Sequence, residues 1–248
     1  MNNLIRGLVS VFCATSITIF QYSSLKKSTI SNMDRSVQSD RLSSEQTVRQ
    51  MEMIKSIPSI GFRNFVANWT FLQFLQYFGD EEGRRVSGYS VSPNYLSTTI
   101  AHDPYYKDFY LFLSESTTFY SGMPNVTVEV MEENLLALEE SRAPNSYYIW
   151  RYKGTDELLF LNDSKAAQQS FEMAAAWAEE SGEENSELLA ELSQQTADFL
   201  ASSPDSKQAR ISAWASILTT SRDERARTRA IQEIRKLGGN VIISDLAE

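Results

Sequence analysis

Apolar positions recur at helical spacing through most of this chain. Between Gly61 and Gly79, Phe62, Phe65, Trp69, Leu72 and Phe78 run along one side, while Phe71, Phe74 and Leu75 widen the stripe. So much apolar surface predicts a helix that other elements must cover. The polar group from Asp80 to Arg85 predicts a loop or short solvated turn. Ser92-Pro93 predicts a helix start, because serine can cap and proline is tolerated where its missing N–H would be unpaired anyway. That helix carries Tyr95, Leu96, Thr99 and Ile100 and stops near His102. Asp103-Pro104 introduces the next one, with Tyr106, Phe109, Tyr110, Leu113 and Thr117 on its stripe.

Gly122-Met123-Pro124-Asn125 predicts a tight break, and Val126, Val130, Leu135 and Leu138 pattern the helix after it. A similar pair then recurs. Tyr147 to Phe160 forms its first helix and Ser164 to Trp177 its second, where small alanines allow close approach and Phe171 fills the gap. Gly154 in the first helix costs about 1 kcal/mol relative to alanine, which a close crossing could offset. Further helices follow over Leu188–Leu200, Ala209–Leu218 and Arg222–Leu237, and Gly238-Gly239 is a strong stop.

The N-terminal end differs in kind. Leu4–Phe20 is an apolar run with Arg6 near its start and Lys26-Lys27 beyond its end, the pattern of an export signal or a slightly short membrane anchor. Residues 1–22 are read as that anchor or signal, retained or cleaved, and residues 23–58 as a polar flexible tether. Residues 59–248 form the helical repeat domain.

Charge and chemistry narrow the function. A net charge of -9 and a pI near 4.8 argue against nucleic acid as a partner. Cys13 is the single cysteine and His102 the single histidine, so an intrachain disulfide, a cysteine cluster and a multi-histidine site are excluded. His102 stands beside Asp103, but no nucleophile-elbow serine accompanies them. No catalytic residue, cofactor or metal ligand is assigned, and the protein is expected not to be an enzyme.

The junctions Ala101-His-Asp-Pro-Tyr105 and Gly122-Met-Pro-Asn125, with the Tyr147–Phe160 and Ser164–Trp177 pair, resemble those of a tetratricopeptide repeat array. Asp103-Pro104 resembles the acidic-proline link between repeats. Gly154 resembles the small first-helix position, and Ala167, Phe171 and Ala174 the second-helix anchors. The Gly61–Asp80 run, the Ser146–Leu161 segment and the ending Leu237-Gly-Gly-Asn-Val-Ile also resemble uncharacterised cyanobacterial proteins with a hydrophobic segment ahead of such a domain.

These resemblances imply an all-α, right-handed αα superhelix of helix hairpins behind an N-terminal hydrophobic anchor. They imply a concave groove that binds a protein, with Lys107, Tyr110, Ser114, Thr117 and Thr118 lining one repeat and Tyr148, Arg151, Thr155 and Asp156 the next. Arg151, among aromatics, is placed to stack or to pair with Asp156 or Glu157. The function expected is a non-enzymatic interaction scaffold at a thylakoid or plasma membrane, assisting assembly of a photosynthetic complex. The alternatives are a permanent structural subunit of a membrane complex, or an enzyme with a carboxylate-based site.

Overall fold

The computed structural model describes residues 37–58, 61–138, 143–202, 205–221 and 223–241, together with Thr15. The chain divides into two compact units, Met1–Ser43 and Ser44–Glu248. The helices in order are α1 (Val37–Ser56), α2 (Arg63–Gly79), α3 (Glu81–Ser87), α4 (Ser92–His102) and α5 (Lys107–Leu113). A π-helical segment, π1 (Ser114–Tyr120), continues α5. Then come α6 (Pro124–Leu138), α7 (Tyr147–Asp156), a second π segment π2 (Glu157–Leu161), α8 (Ser164–Ser181), α9 (Ser186–Ala201), α10 (Lys207–Thr220) and α11 (Glu224–Lys236).

Local signals explain many of these boundaries. Pro93 opens α4 and His102 closes it. Asp163 accepts a hydrogen bond from the Ala166 N–H at the start of α8, and Gly182 closes that helix in the left-handed region. The Asp80–Arg85 group is a short helix rather than a loop: Asp80 caps it through the Gly83 N–H, at 3.2 Å. The helix also buries Arg84, whose guanidinium lies 3.7 Å from the centre of the Tyr77 ring and donates to the Gly88 carbonyl.

The larger core gathers α2, α4, α5, α6 and α7 around Phe74, Leu96, Ile100, Phe109, Leu113 and Met131. Burial of this apolar surface is the main stabilising contribution. A second cluster joins Phe160 of π2 to Trp214, Ile217, Ala226, Ala230 and Ile234. Gly154 sits at the α7–α8 crossing. A Cβ there would lie 3.0 Å from a ring carbon of Phe171, so close approach is what the glycine permits.

Three expectations are corrected. The tether assigned to residues 23–58 contains α1, a helix whose Met51 is buried in the core and whose Ile54 carbonyl lies 3.0 Å from Nε2 of His102. Its polarity belongs to a helix with one apolar side.

Second, the open superhelix is not formed. In a repeat array each hairpin touches only its neighbours, whereas here the last hairpin, α10–α11, returns to the middle of the chain. Asp223 accepts from the Tyr89 N–H at 3.1 Å, Ser221 donates to the Tyr120 carbonyl at 2.6 Å, and Arg229 donates to the Gly122 carbonyl at 2.8 Å. Glycines make this return possible. Gly88 has φ 69°, and a Cβ on it would collide with the Asp223 carboxylate; Gly122 has φ 64°, and a Cβ on it would lie 3.1 Å from the Ala226 Cα. The fold is an all-α assembly of packed helices with a folded-back terminal pair.

Third, the hydrophobic anchor is withdrawn. Among the described residues no helix is long and apolar enough to cross a membrane, and the run Leu4–Phe20 lies outside those residues apart from Thr15. The aromatic helix α2 has 17 residues, short of the roughly twenty a span requires, and Asn64, Asn68, Gln73 and Gln76 interrupt it. With the anchor go the membrane as a partner, the thylakoid or plasma-membrane location, and the scaffold role at a membrane.

Candidate functional site

The residues expected along a groove fall into two environments. Tyr110, Ser114, Thr117, Thr118 and Asp156 are buried, because α5, π1 and α7 turn these sides towards each other rather than outward. The Tyr110 hydroxyl donates to the Pro104 carbonyl at 2.9 Å. Burial pushes the phenol pKa well above its usual range.

Asp156 stands where α7 widens into π2, opposite the start of π1. Its Oδ2 accepts from Ser114 Oγ at 2.9 Å and lies 3.3 Å from Thr118 Oγ1, which in turn is 2.9 Å from Thr127 Oγ1. Its other oxygen has no hydrogen-bond partner. Burial raises this carboxyl pKa from 3.8 to about 7. The Ser114 and Thr118 hydrogen bonds pull it down, the neighbouring Glu157 charge pushes it further up, and burial wins.

Glu157 is handled differently. Lys153, one helical turn back, donates to its Oε1, and Ser170 on α8 donates to Oε2 at 2.6 Å. Both side chains of this ion pair are buried, 8% and 4% exposed, so each partner compensates the other's loss of water. Two π segments, each meeting this polar core, match the frequent placement of widened turns at special positions. The core can store a proton near neutrality, but it is sealed within packed helices.

Lys107, Tyr148, Arg151 and Thr155 keep accessible surface. Lys107 lies 5.3 Å from the centre of the Tyr148 ring, which stacks on Tyr152 at 6.2 Å. Its hydrogen bond to Asp108 raises the lysine pKa and lowers the aspartate pKa. Arg151 pairs with neither Asp156 nor Glu157. Its Nη1 donates to Ser193 Oγ on α9 at 2.6 Å, and Thr155 donates to the Arg151 carbonyl. Helical spacing gives the reason: Lys153, four residues from Glu157, has the shorter reach.

The most accessible apolar surface lies on α2. Its inner side packs Ala67, Thr70 and Phe74 into the core. Its outer side exposes Phe65 (68%), Trp69 (55%), Leu72 (55%) and Leu75 (39%), and Phe62 (70%), at the cap just before the helix, extends the strip. From Phe62 to Leu72 they recur at steps of three, four and three residues, the spacing of a seam that packs against another helix. The stripe expected along Gly61–Gly79 spans both sides: Phe74 and Phe71 pack on the core, whereas Phe65, Trp69 and Leu72 face outward. The signal that separates them is the small pair Ala67 and Thr70, which marks where neighbouring helices press closely.

Family models, characterised proteins and solved structures yield no match. The cyanobacterial resemblance gains no support from them and meets no opposition.

Among the described residues no group of three or more histidine, cysteine or carboxylate side chains is placed to hold a metal ion. A shallow open depression along α11, lined by Glu224, Arg225, Thr228, Arg229, Gln232 and Glu233, follows one helix side only.

Proposed function

We propose that this protein acts non-covalently, as a helical module that docks an apolar helix on the outer seam of α2. The exposure of Phe65, Trp69 and Leu72 on one side of one helix, with Phe62 at its cap, carries this reading. A contiguous aromatic patch in water is costly, and rings of this size anchor interfaces when covered. The rest of the molecule works as a frame. The core beneath Ala67 and Phe74 holds the seam rigid, so little ordering cost remains at docking.

A photo-crosslinking amino acid placed at Phe65 in intact cells tests this, with the same probe at the exposed Lys165 of α8 as control. The Phe65 probe should yield discrete adducts to a protein, and Trp69→Glu should abolish them. Adducts equal in pattern and yield from both positions, or none from Phe65, would overturn the docking role.

A further inference from the structure

We propose that the occupant of the α2 seam is a second copy of this chain, its α2 packed antiparallel about a two-fold axis through the region of Asn68 and Trp69. The inference rests on the docking role above and names its partner.

Charge is the first argument. The chain carries a net charge of -9, which opposes self-association. Yet α2 contains no acidic residue, and its only cation, Arg63 at the N-terminal end, is occupied by the Ala101 and His102 carbonyls, each at 3.3 Å. The seam is therefore an uncharged strip in an acidic molecule, and α2 itself sets no like charges against each other when two copies meet.

Self-complementarity is the second. In an antiparallel pair, Trp69 near the middle meets Trp69, and Phe62 at one end meets the Leu75–Gln76 end of the other copy. The three-four-three spacing lets such knobs enter the gaps of an identical helix.

Area is the third. An aromatic side chain presents about 150–250 Å² in full. At the exposures given above, the outer side chains of α2 offer roughly 500–600 Å² per chain. Two copies bury at most about 1,100 Å², which clears the roughly 1,000 Å² that separates specific pairs from chance contacts and places this one among the weaker, concentration-dependent ones.

The competing surface on α9 fits less well. Leu188, Leu192 and Phe199 are exposed there at 55%, 41% and 62%, but Glu187, Glu191 and Asp198 lie along the same helix. Packing α2 on it would desolvate carboxylates opposite a strip that offers them no cation. It would also be head-to-tail, giving open chains of molecules rather than closed pairs.

Sedimentation equilibrium on the full chain tests the inference. The mass should rise with concentration from 28.1 kDa to twice that value and no further. Phe65→Glu/Trp69→Glu, and separately Leu72→Arg, should stay at the single-chain mass with unchanged helical circular dichroism. Leu188→Glu/Phe199→Glu should pair as the parent does. In a Cys13→Ser background, Asn68→Cys should form a disulfide-linked dimer under mild oxidation. Gln76→Cys should not, because its two copies would stand roughly 20 Å apart along the axis at 1.5 Å per residue.

A parent protein that stays at 28.1 kDa throughout would overturn the inference. So would pairing that survives Phe65→Glu/Trp69→Glu, growth beyond two copies, or equal cross-linking at both positions. A single-chain mass together with Trp69-dependent adducts to a different protein would remove the two-fold pair and leave the docking role standing. A single-chain mass with no adducts would remove both.

Discussion

Replacing Asp156 by asparagine should change how stability depends on pH, and the structure supplies both sign and size. The carboxyl is raised from 3.8 to about 7 in the folded chain. Between those values the folded state binds a proton that the unfolded state has released. Its stabilising contribution is therefore fully present below about pH 4 and is lost as pH rises to about 7, with no further loss above. A displacement of about three pH units at 1.36 kcal/mol each amounts to ~4 kcal/mol. The asparagine side chain keeps the shape of the aspartate but does not titrate. Urea unfolding followed by circular dichroism, on parent and Asp156→Asn at about pH 4 and about pH 8, isolates the effect, since other titrations largely cancel in the difference. The stability difference should move by about 4 kcal/mol in favour of asparagine as pH rises. A movement under about 1 kcal/mol, or of opposite sign, would refute the account of a carboxyl held neutral by burial.

Two further outcomes follow from the packing. Gly122→Ala forces a side chain onto a backbone with φ 64°, 3.1 Å from the Ala226 Cα. It should cost about 1–3 kcal/mol in a thermal or urea melt, and a neutral result would mean that α11 does not press on this turn. Lys153→Met strands the Glu157 carboxylate among buried groups and should cost about 3–5 kcal/mol. Lys153→Met/Glu157→Gln should recover most of that loss, which the same unfolding measurement can check.

Much of the fold was legible in advance because its signals are local. The Ser92-Pro93 start and His102 stop of α4 were placed correctly by the proline, whose missing N–H costs nothing in the first turn, although Ser92 itself caps no backbone group. The close crossing at Gly154 was legible too, since a missing Cβ next to an alanine-rich helix has few other uses. The candidate site was legible only in part. Lys107, Tyr148 and Arg151 retain accessible surface, but Tyr110, Ser114 and Asp156 are buried. Spacing places a residue on one side of a helix; it does not tell whether a neighbouring helix covers that side.

By itself, the order of apolar and polar residues determined that this chain would be helical, where several helices would begin and end, and that aromatic surface on α2 would exceed what one helix can use. Those outcomes follow from short-range sterics, capping and periodicity, all contained within a few turns of chain. Tertiary structure alone decided that Asp156 and Ser114 would meet across forty-two positions, that Tyr89 and Asp223 would meet across 134, and that the Phe65–Trp69 side of α2 would be left facing water. Contacts at such separations depend on which helices fill the available core volume first, and no local pattern records that competition.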